Sequence, residues 1–407
     1  MARRSSQRPA APGLDALLAA KEMVVVCGSG GTGKTTVSAA LGAVAAVRLG
    51  ARVLVLTVDP ARRLATSLGI DPTGLGTGAG SATRVDAALV ADAAGATGMD
   101  AVGAGELWVA MLDTKAGWDE LIRRHAPDAE LRDRVLANPL YQNITGRFVH
   151  SHDYLAMEQL HELHATGSYD LVVIDTPPSR NALDLLDAPG RMKDFFGSRL
   201  LRWLTVPYRS RLFTAASKPF YQVADRVLGS RFLQDIAEFF MLFQTMEPGF
   251  VSRADEVERL LVDPRTAFVV VSTLEAAPAY EARYLVAELE RRSMQVGAVV
   301  LNRTLPDRIR RPAAATSARA LRRLADDPAA VEGLAAASAS SPDEVRAVLA
   351  EVGERFGDLA VVASREAERR SELDRLGVPT VAVPALEHDV ADLHGVLELG
   401  SFLVAGR

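Results

Sequence analysis

The 407-residue sequence has little cysteine, few aromatic residues and almost no charge imbalance. Its one cysteine, Cys27, excludes a disulfide framework and a zinc site built from cysteines. A formal net charge of −5 gives no global field to favour a nucleic-acid partner, and none is expected. No uninterrupted apolar run approaches the roughly 20 residues that span a bilayer as a helix. The opening Met1-Ala2-Arg3-Arg4-Ser5-Ser6 is basic, but Leu14–Leu18 is too short and too charged for the core of a signal peptide. The expected location is therefore cytoplasmic, and the sequons at Asn143 and Asn302 are taken as chance matches. What the chain does have is 48% apolar residues, ample for a packed core. The length suits one large α/β domain with insertions, or two domains.

One short stretch organises the rest: Gly28-Ser29-Gly30-Gly31-Thr32-Gly33-Lys34-Thr35-Thr36. It fits G-x-x-x-x-G-K-[ST]. The apolar, β-branched run Met23–Cys27 before it reads as a buried parallel strand, and the Ala-rich run Thr35–Val47 after it reads as a helix. Strand, glycine loop and helix N-terminus form the context in which this motif binds phosphate. Glycines let successive backbone N–H groups turn inward where a Cβ would collide. The helix N-terminus adds free N–H donors and a positive dipole end. Lys34 would reach the β- and γ-phosphates of ATP, and the Thr35 hydroxyl would hold Mg²⁺. The competing reading is a glycine turn that binds nothing.

Residues 1–20, rich in Arg, Pro and Ala, read as a flexible arm, with the ATPase domain proper over 21–407. Apolar strands follow at Val53–Val58, Leu171–Asp175, Ala267–Val271, Gly297–Asn302 and Thr380–Val383. From Gly69 to Glu106 the Gly/Ala-rich chain predicts loops, with one strand near Val85–Val90. Helical patterns run through Leu107–Glu120, Asp128–Asn138, Tyr154–Ala165, Glu281–Ser293 and His388–Leu399. Helical insertions are expected at about 106–165, 188–250 and 307–376. In the last, Ser341-Pro342-Asp343-Glu344 has the pattern of a capped helix start. Strands alternating with helices predict a doubly wound, mostly parallel sheet of the P-loop NTPase type with an inserted helical subdomain.

In such a sheet ligands sit at the carboxyl ends of the strands, and two carboxylates fall there. Asp175 closes an apolar strand, as the Walker-B acid that holds Mg²⁺ does. Asp59 could orient the attacking water. Each could instead cap a following helix. The set Gly28–Thr36, Asp59-Pro60-Ala61, Asp175-Thr176-Pro177-Pro178, Leu301-Asn302-Arg303 and Val383-Pro384-Ala385-Leu386 resembles the ArsA-like ATPases, in the family's order. That family includes arsenite-pump ATPases and the ATPase that escorts tail-anchored membrane proteins. The resemblance implies a dimeric ATPase in which the Asp59 segment is switch I and 175–182 is switch II. It also implies that Asn302 reads the adenine edge and that Pro384 packs on the ring.

Two departures from the family pattern stand out. Ser29 takes the place of a lysine that reaches across the family's dimer to the partner's nucleotide, so this chain cannot supply a cation from that position. Arg62 or Arg63 would compensate, or are plain surface arginines. One cysteine also cannot hold arsenite, so an arsenite pump is not expected. The scarce aromatics are concentrated: 12 of 23 lie within 188–250, among them Phe195, Phe196, Trp203, Tyr208, Phe239, Phe240 and Phe243. Nine Lys/Arg against two Asp between Arg191 and Arg231 make that stretch basic. Such helices would receive a hydrophobic client protein, lie on an anionic membrane surface, or form the subdomain's own core or dimer contact. The expected function is an ATP-hydrolysing switch, a homodimer or a heterodimer with a paralogue, that moves or escorts a client. The alternative is a catalytically weak subunit that regulates a lysine-bearing paralogue.

Overall fold

The computed structural model describes residues 13–58, 63–70, 82–99, 105–111, 128–138, 151–177, 179–197, 247–310 and 312–405, with isolated positions between 119 and 141. Eight strands form one sheet: β1 (Met23–Gly28), β2 (Arg52–Thr57), β3 (Thr83–Arg84), β4 (Glu106–Met111), β5 (Leu171–Asp175), β6 (Thr266–Ser272), β7 (Val296–Thr304) and β8 (Thr380–Pro384). Their order is β3-β4-β2-β5-β1-β6-β7-β8, and every pair is parallel except β3–β4. The expected doubly wound α/β sheet is present. β1 sits at the switch point, with β5 on one side and β6 on the other. All six of its residues are buried, as a central strand covered on both faces requires.

Alternate residues of β1 feed two core layers. Val24 and Val26 face one shared with α1 (Asp15–Ala20), α2 (Lys34–Leu49), α4 (Ala87–Thr97) and the C-terminal helix, Leu393–Ala405. Met23, Val25 and Cys27 face the other, built with helices Ser151–Ala165, Ser179–Gly197, Glu247–Val262 and Ala276–Arg291. In chain order α3 is Arg63–Ser67, α5 Ala129–Ala137, α6 Ser151–Ala165, α7 Ser179–Gly197, α8 Glu247–Val262 and α9 Ala276–Arg291. After β7 come α10 (Asp307–Arg310), α11 (Pro312–Ala325), α12 (Pro328–Ser338) and the 33-residue α13 (Pro342–Asp374), then α14 (Leu393–Ala405) after β8. Ser341 and Glu344 close a complete capping box at the start of α13.

Several sequence expectations are corrected. Residues 15–20 are not a loose arm: α1 docks through buried Leu14 and Leu18, and Leu14 N donates to Leu403 O. Residues 106–111 are strand β4, not helix, because Leu107-Trp108-Val109-Ala110 finds an open edge on β2. A short apolar run fits strand or helix equally, and tertiary pairing decides it. The strand expected near 85–90 is the two-residue β3, and the chain then turns at Asp86, which caps α4. The last helix begins at Leu393 rather than near His388. Of the basic, aromatic stretch 188–250, only its ends in α7 and α8 fall within the described residues, and Phe239, Phe240 and their neighbours lie outside them.

Candidate nucleotide site at the phosphate loop

β1 ends at Gly28, in register with Val271 on β6. A Cβ on Gly28 would lie 2.0 Å from the Val271 carbonyl oxygen, so only glycine lets the chain leave the sheet this close to β6. At the other end of the loop Gly33 (φ 90°) turns the backbone into α2 in a left-handed conformation. No side-chain hydrogen bond caps the N-terminus of α2, which begins where the loop ends. Such an N-terminus binds anions.

Within the loop the Ser29 carbonyl is the convergence point. It accepts from Lys34 Nζ at 2.9 Å and from Thr32 Oγ1 at 2.9 Å. Lys34 is 7% exposed, so its ammonium is held under the loop rather than swinging in solvent. Beside it, Asp175 is fully buried at the end of β5, where the register places it next to Val26 and Thr57. Its Oδ2 accepts from Thr35 Oγ1 at 2.7 Å and from Thr57 Oγ1 at 3.0 Å. The hydroxyl–carboxylate pair expected to hold Mg²⁺ is thus assembled from α2 and β5, with Thr57 of β2 beside it. It is a set of hard oxygen donors, which suits Mg²⁺ chemistry. Thr57 is a member that the sequence reading did not single out.

Asn302 arrives from β7. The β7–β8 register slips between Leu301 and Thr304, and Arg303 at the slip has φ 55°. This bulge re-aims the Asn302 side chain toward the phosphate loop. Asn302 Nδ2 donates to Thr32 O at 2.9 Å, and its Oδ1 accepts from Arg303 N at 3.0 Å. A Cβ on Gly33 would meet Asn302 Nδ2 at 2.3 Å, so the glycine makes room for this contact. Arg303 Nη1 in turn donates to Gly31 O at 3.3 Å. Asn302 and Arg303 therefore brace two carbonyls of the loop. Pro384 ends β8 opposite Thr304, and Ala385 N donates to Thr304 O at 2.9 Å, at the same carboxyl edge of the sheet.

The structure thus brings together Gly28–Thr36, Asp175 and Asn302, with Pro384 on the neighbouring strand end. Asp59, with Arg62, lies outside the described residues, as does the Arg63 side chain. Burial pushes the Cys27 thiol up to about 12 against a smaller downward pull from Lys34, so it is an inert core residue.

A family model described as anion-transporting ATPase, ArsA ATPase, matches residues 21–323. The chain belongs to this family. Within ArsA ATPases the matched segment carries an ATP-binding, ATP-hydrolysing P-loop domain, and the loop, Asp175 and Asn302 described above all fall inside it. An uncharacterized protein of Streptomyces coelicolor is 29% identical over 296 residues, covering 70% of this chain. The chain spans 63% of the length of that relative. No helix among the described residues is long and apolar enough to cross a membrane.

Proposed function

We propose that this ArsA-family chain is an ATP-driven switch that hydrolyses ATP to ADP and phosphate. One observation carries the reading: an uncapped helix N-terminus, a buried lysine and a hydroxyl–carboxylate pair converge at the switch point of a parallel sheet. Lys34 and the loop amides would hold the phosphates, and Thr35 and Asp175 would hold Mg²⁺, which neutralises charge on the transferring group. Asp59 would position the attacking water, Asn302 would meet the adenine edge and Pro384 would pack on the ring.

Asp175 lies four residues before α7, whose Leu185 and Leu186 pack in one core layer with Val257, Leu260 and Leu261 of α8. A change at the end of β5 would therefore move a helical layer, as order–disorder switches in nucleotide-binding proteins do. In this reading the protein works as a dimer, and the 188–250 region contacts a hydrophobic client or a membrane surface. A second reading rests on Ser29. With no cation to offer from that position, the chain would pair with a lysine-bearing paralogue, and turnover would be slow in isolation.

Lys34→Ala removes the ammonium and Thr35→Ala the metal-facing hydroxyl. Calorimetry should give about a hundredfold weaker Mg²⁺-ATP binding for Lys34→Ala, with the fold retained. Thr35→Ala should weaken binding only when Mg²⁺ is present. Unchanged affinity in both variants would dismiss the site.

A further inference from the structure

The phosphate loop carries four glycines, so its backbone has much freedom to lose when it closes on a ligand. Ser29 and Thr32 are the only residues between Gly28 and Gly33 with side chains, and each is tied down. Thr32 bonds within the loop, to the Ser29 carbonyl. Ser29 bonds outside it: its hydroxyl donates to Glu281 Oε2 on α9 at 2.7 Å, across 252 positions of sequence. Lys34 Nζ is seated on the carbonyl of the same residue.

The reach follows from the fold. β1 lies against β6, and α9 follows β6, so the helix runs past the start of the loop. Ala279, Ala282, Leu285, Val286 and Leu289 bury one face of α9 in the core, which fixes the helix and sets the height of Glu281 beside Ser29. Glu281 itself is only half-buried, flanked by Tyr280 and Tyr284, which are 71% and 57% exposed. A half-buried carboxylate on a rigid helix, accepting from an otherwise buried hydroxyl, is an anchor of the strong, charge-assisted kind.

We propose that Glu281 is a positioning residue of the ATP site, acting through Ser29 to fix the carbonyl on which the Lys34 ammonium sits. This inference rests on the reading of the loop as an ATP site and deepens it. Glu281 lies on α9, outside the phosphate loop. It holds the second residue of a glycine-rich loop in place before ligand arrives, so that less ordering is left to the binding step. The side chain at position 29 is thereby committed to its own subunit.

A double-mutant cycle tests this with Mg²⁺-ATP as the probe, reading affinity by calorimetry and kcat/KM by phosphate release. Ser29→Ala and Glu281→Ala should each weaken ATP binding by about tenfold, the scale of one charge-assisted hydrogen bond. The double variant should be no worse than either single one, because both remove the same link. Glu281→Gln keeps an acceptor oxygen without the charge and should recover part of the loss. Helix packing alone predicts a different pattern: lower melting temperature, unchanged ATP affinity and additive effects. Either additive losses or wild-type affinity in Ser29→Ala would overturn the proposal. Lys34→Ala, run alongside, separates the two ideas. If it binds ATP normally, the site reading has failed; if it alone loses ATP, the site stands and the Glu281 link falls.

Discussion

α2 and α13 are both helices of this chain, and they hold their shape by different means. Of the 16 residues in α2, 12 are buried, in a layer between the sheet and α14. Of the 33 residues in α13, only Gly353, Ala363, Glu366 and Leu373 are buried. The first helix is enclosed by the sheet and a second helix layer, whereas the second packs on α11 along one side and leaves most of its surface in solvent. α13 has its capping box, and along its exposed face Arg346 pairs with Asp343 and Arg355 with Glu351. Exposed pairs of this kind contribute a few tenths of a kcal/mol each. The difference matches what each helix does. α2 carries Lys34 and Thr35 at its first turn, where a displacement of an ångström would separate Thr35 from Asp175. α13 and its neighbours α11 and α12 stand outside the sheet and bear none of the site residues named above.

Mid-helix glycines break this comparison most sharply. Gly42 lies in the middle of α2, and a Cβ there would sit 2.3 Å from Val55 Cγ2 on β2, with Leu107 Cδ1 on β4 at 3.4 Å. The helix rests directly on the sheet because this side chain is missing. Gly42→Ala should cost about 1–3 kcal/mol by overpacking, despite the better helix propensity of alanine. Thermal melting checks the stability, and Mg²⁺-ATP affinity should fall as well if α2 is pushed off β2. Unaltered melting would mean that the layer is looser than its burial implies.

The same distinction explains what was legible in the sequence. The phosphate loop, the β1 and β5 strands, Asp175 and the Ser341 capping box are all local patterns, and each appears where its pattern put it. β4 was not legible, since Leu107-Trp108-Val109-Ala110 suits either a strand or a buried helix face until β2 offers an edge. α1 was hidden by the Arg/Pro-rich residues before it, although Leu14 and Leu18 at helical spacing were the signal. Thr57 could have been found as the lone polar residue closing β2 two positions before Asp59. Glu281 carried no signal, because its partner is 252 residues away and only the β1–β6 pairing brings them together. Asn302 stood out only through the family resemblance; its bond to Thr32 depends on a bulge that no pattern announces.

Ser341 sharpens the comparison on the other side. Its hydroxyl accepts from Glu344 N at 3.2 Å, and Glu344 Oε2 accepts from Ser341 N at 2.9 Å. The backbone hydrogen bond from Ser341, and after it one from the Ser341 side chain, hold the Glu344 carboxyl below its ordinary range. The first turn of α13 is exposed, so it should feel the loss of its cap. Ser341→Ala should destabilise by about 1 kcal/mol, seen as faster amide exchange in the first turns of α13, while ATP binding is untouched. A change in ATP affinity would show that the helical insertion and the nucleotide site are coupled.

The smallest effect is expected at Gly333, and its sign is the point. Gly333 is in the middle of α12, exposed, with no atom of the described residues within 4 Å of the position a Cβ would take. Its φ is not left-handed, so alanine adopts the same backbone without strain. No neighbour objects, and alanine restricts the unfolded chain more than glycine does. Gly333→Ala should therefore stabilise by about 0.5–1 kcal/mol, a rise of a degree or two in melting temperature for a chain of this size. Gly42→Ala should lower it. The two substitutions are chemically identical and both are mid-helix, so propensity cancels between them. What remains is packing: a β-strand 2.3 Å away in one case and solvent in the other. If Gly333→Ala also destabilised, α12 would be covered by something other than the described residues. A partner seated on the helical insertion would then be the first thing to look for.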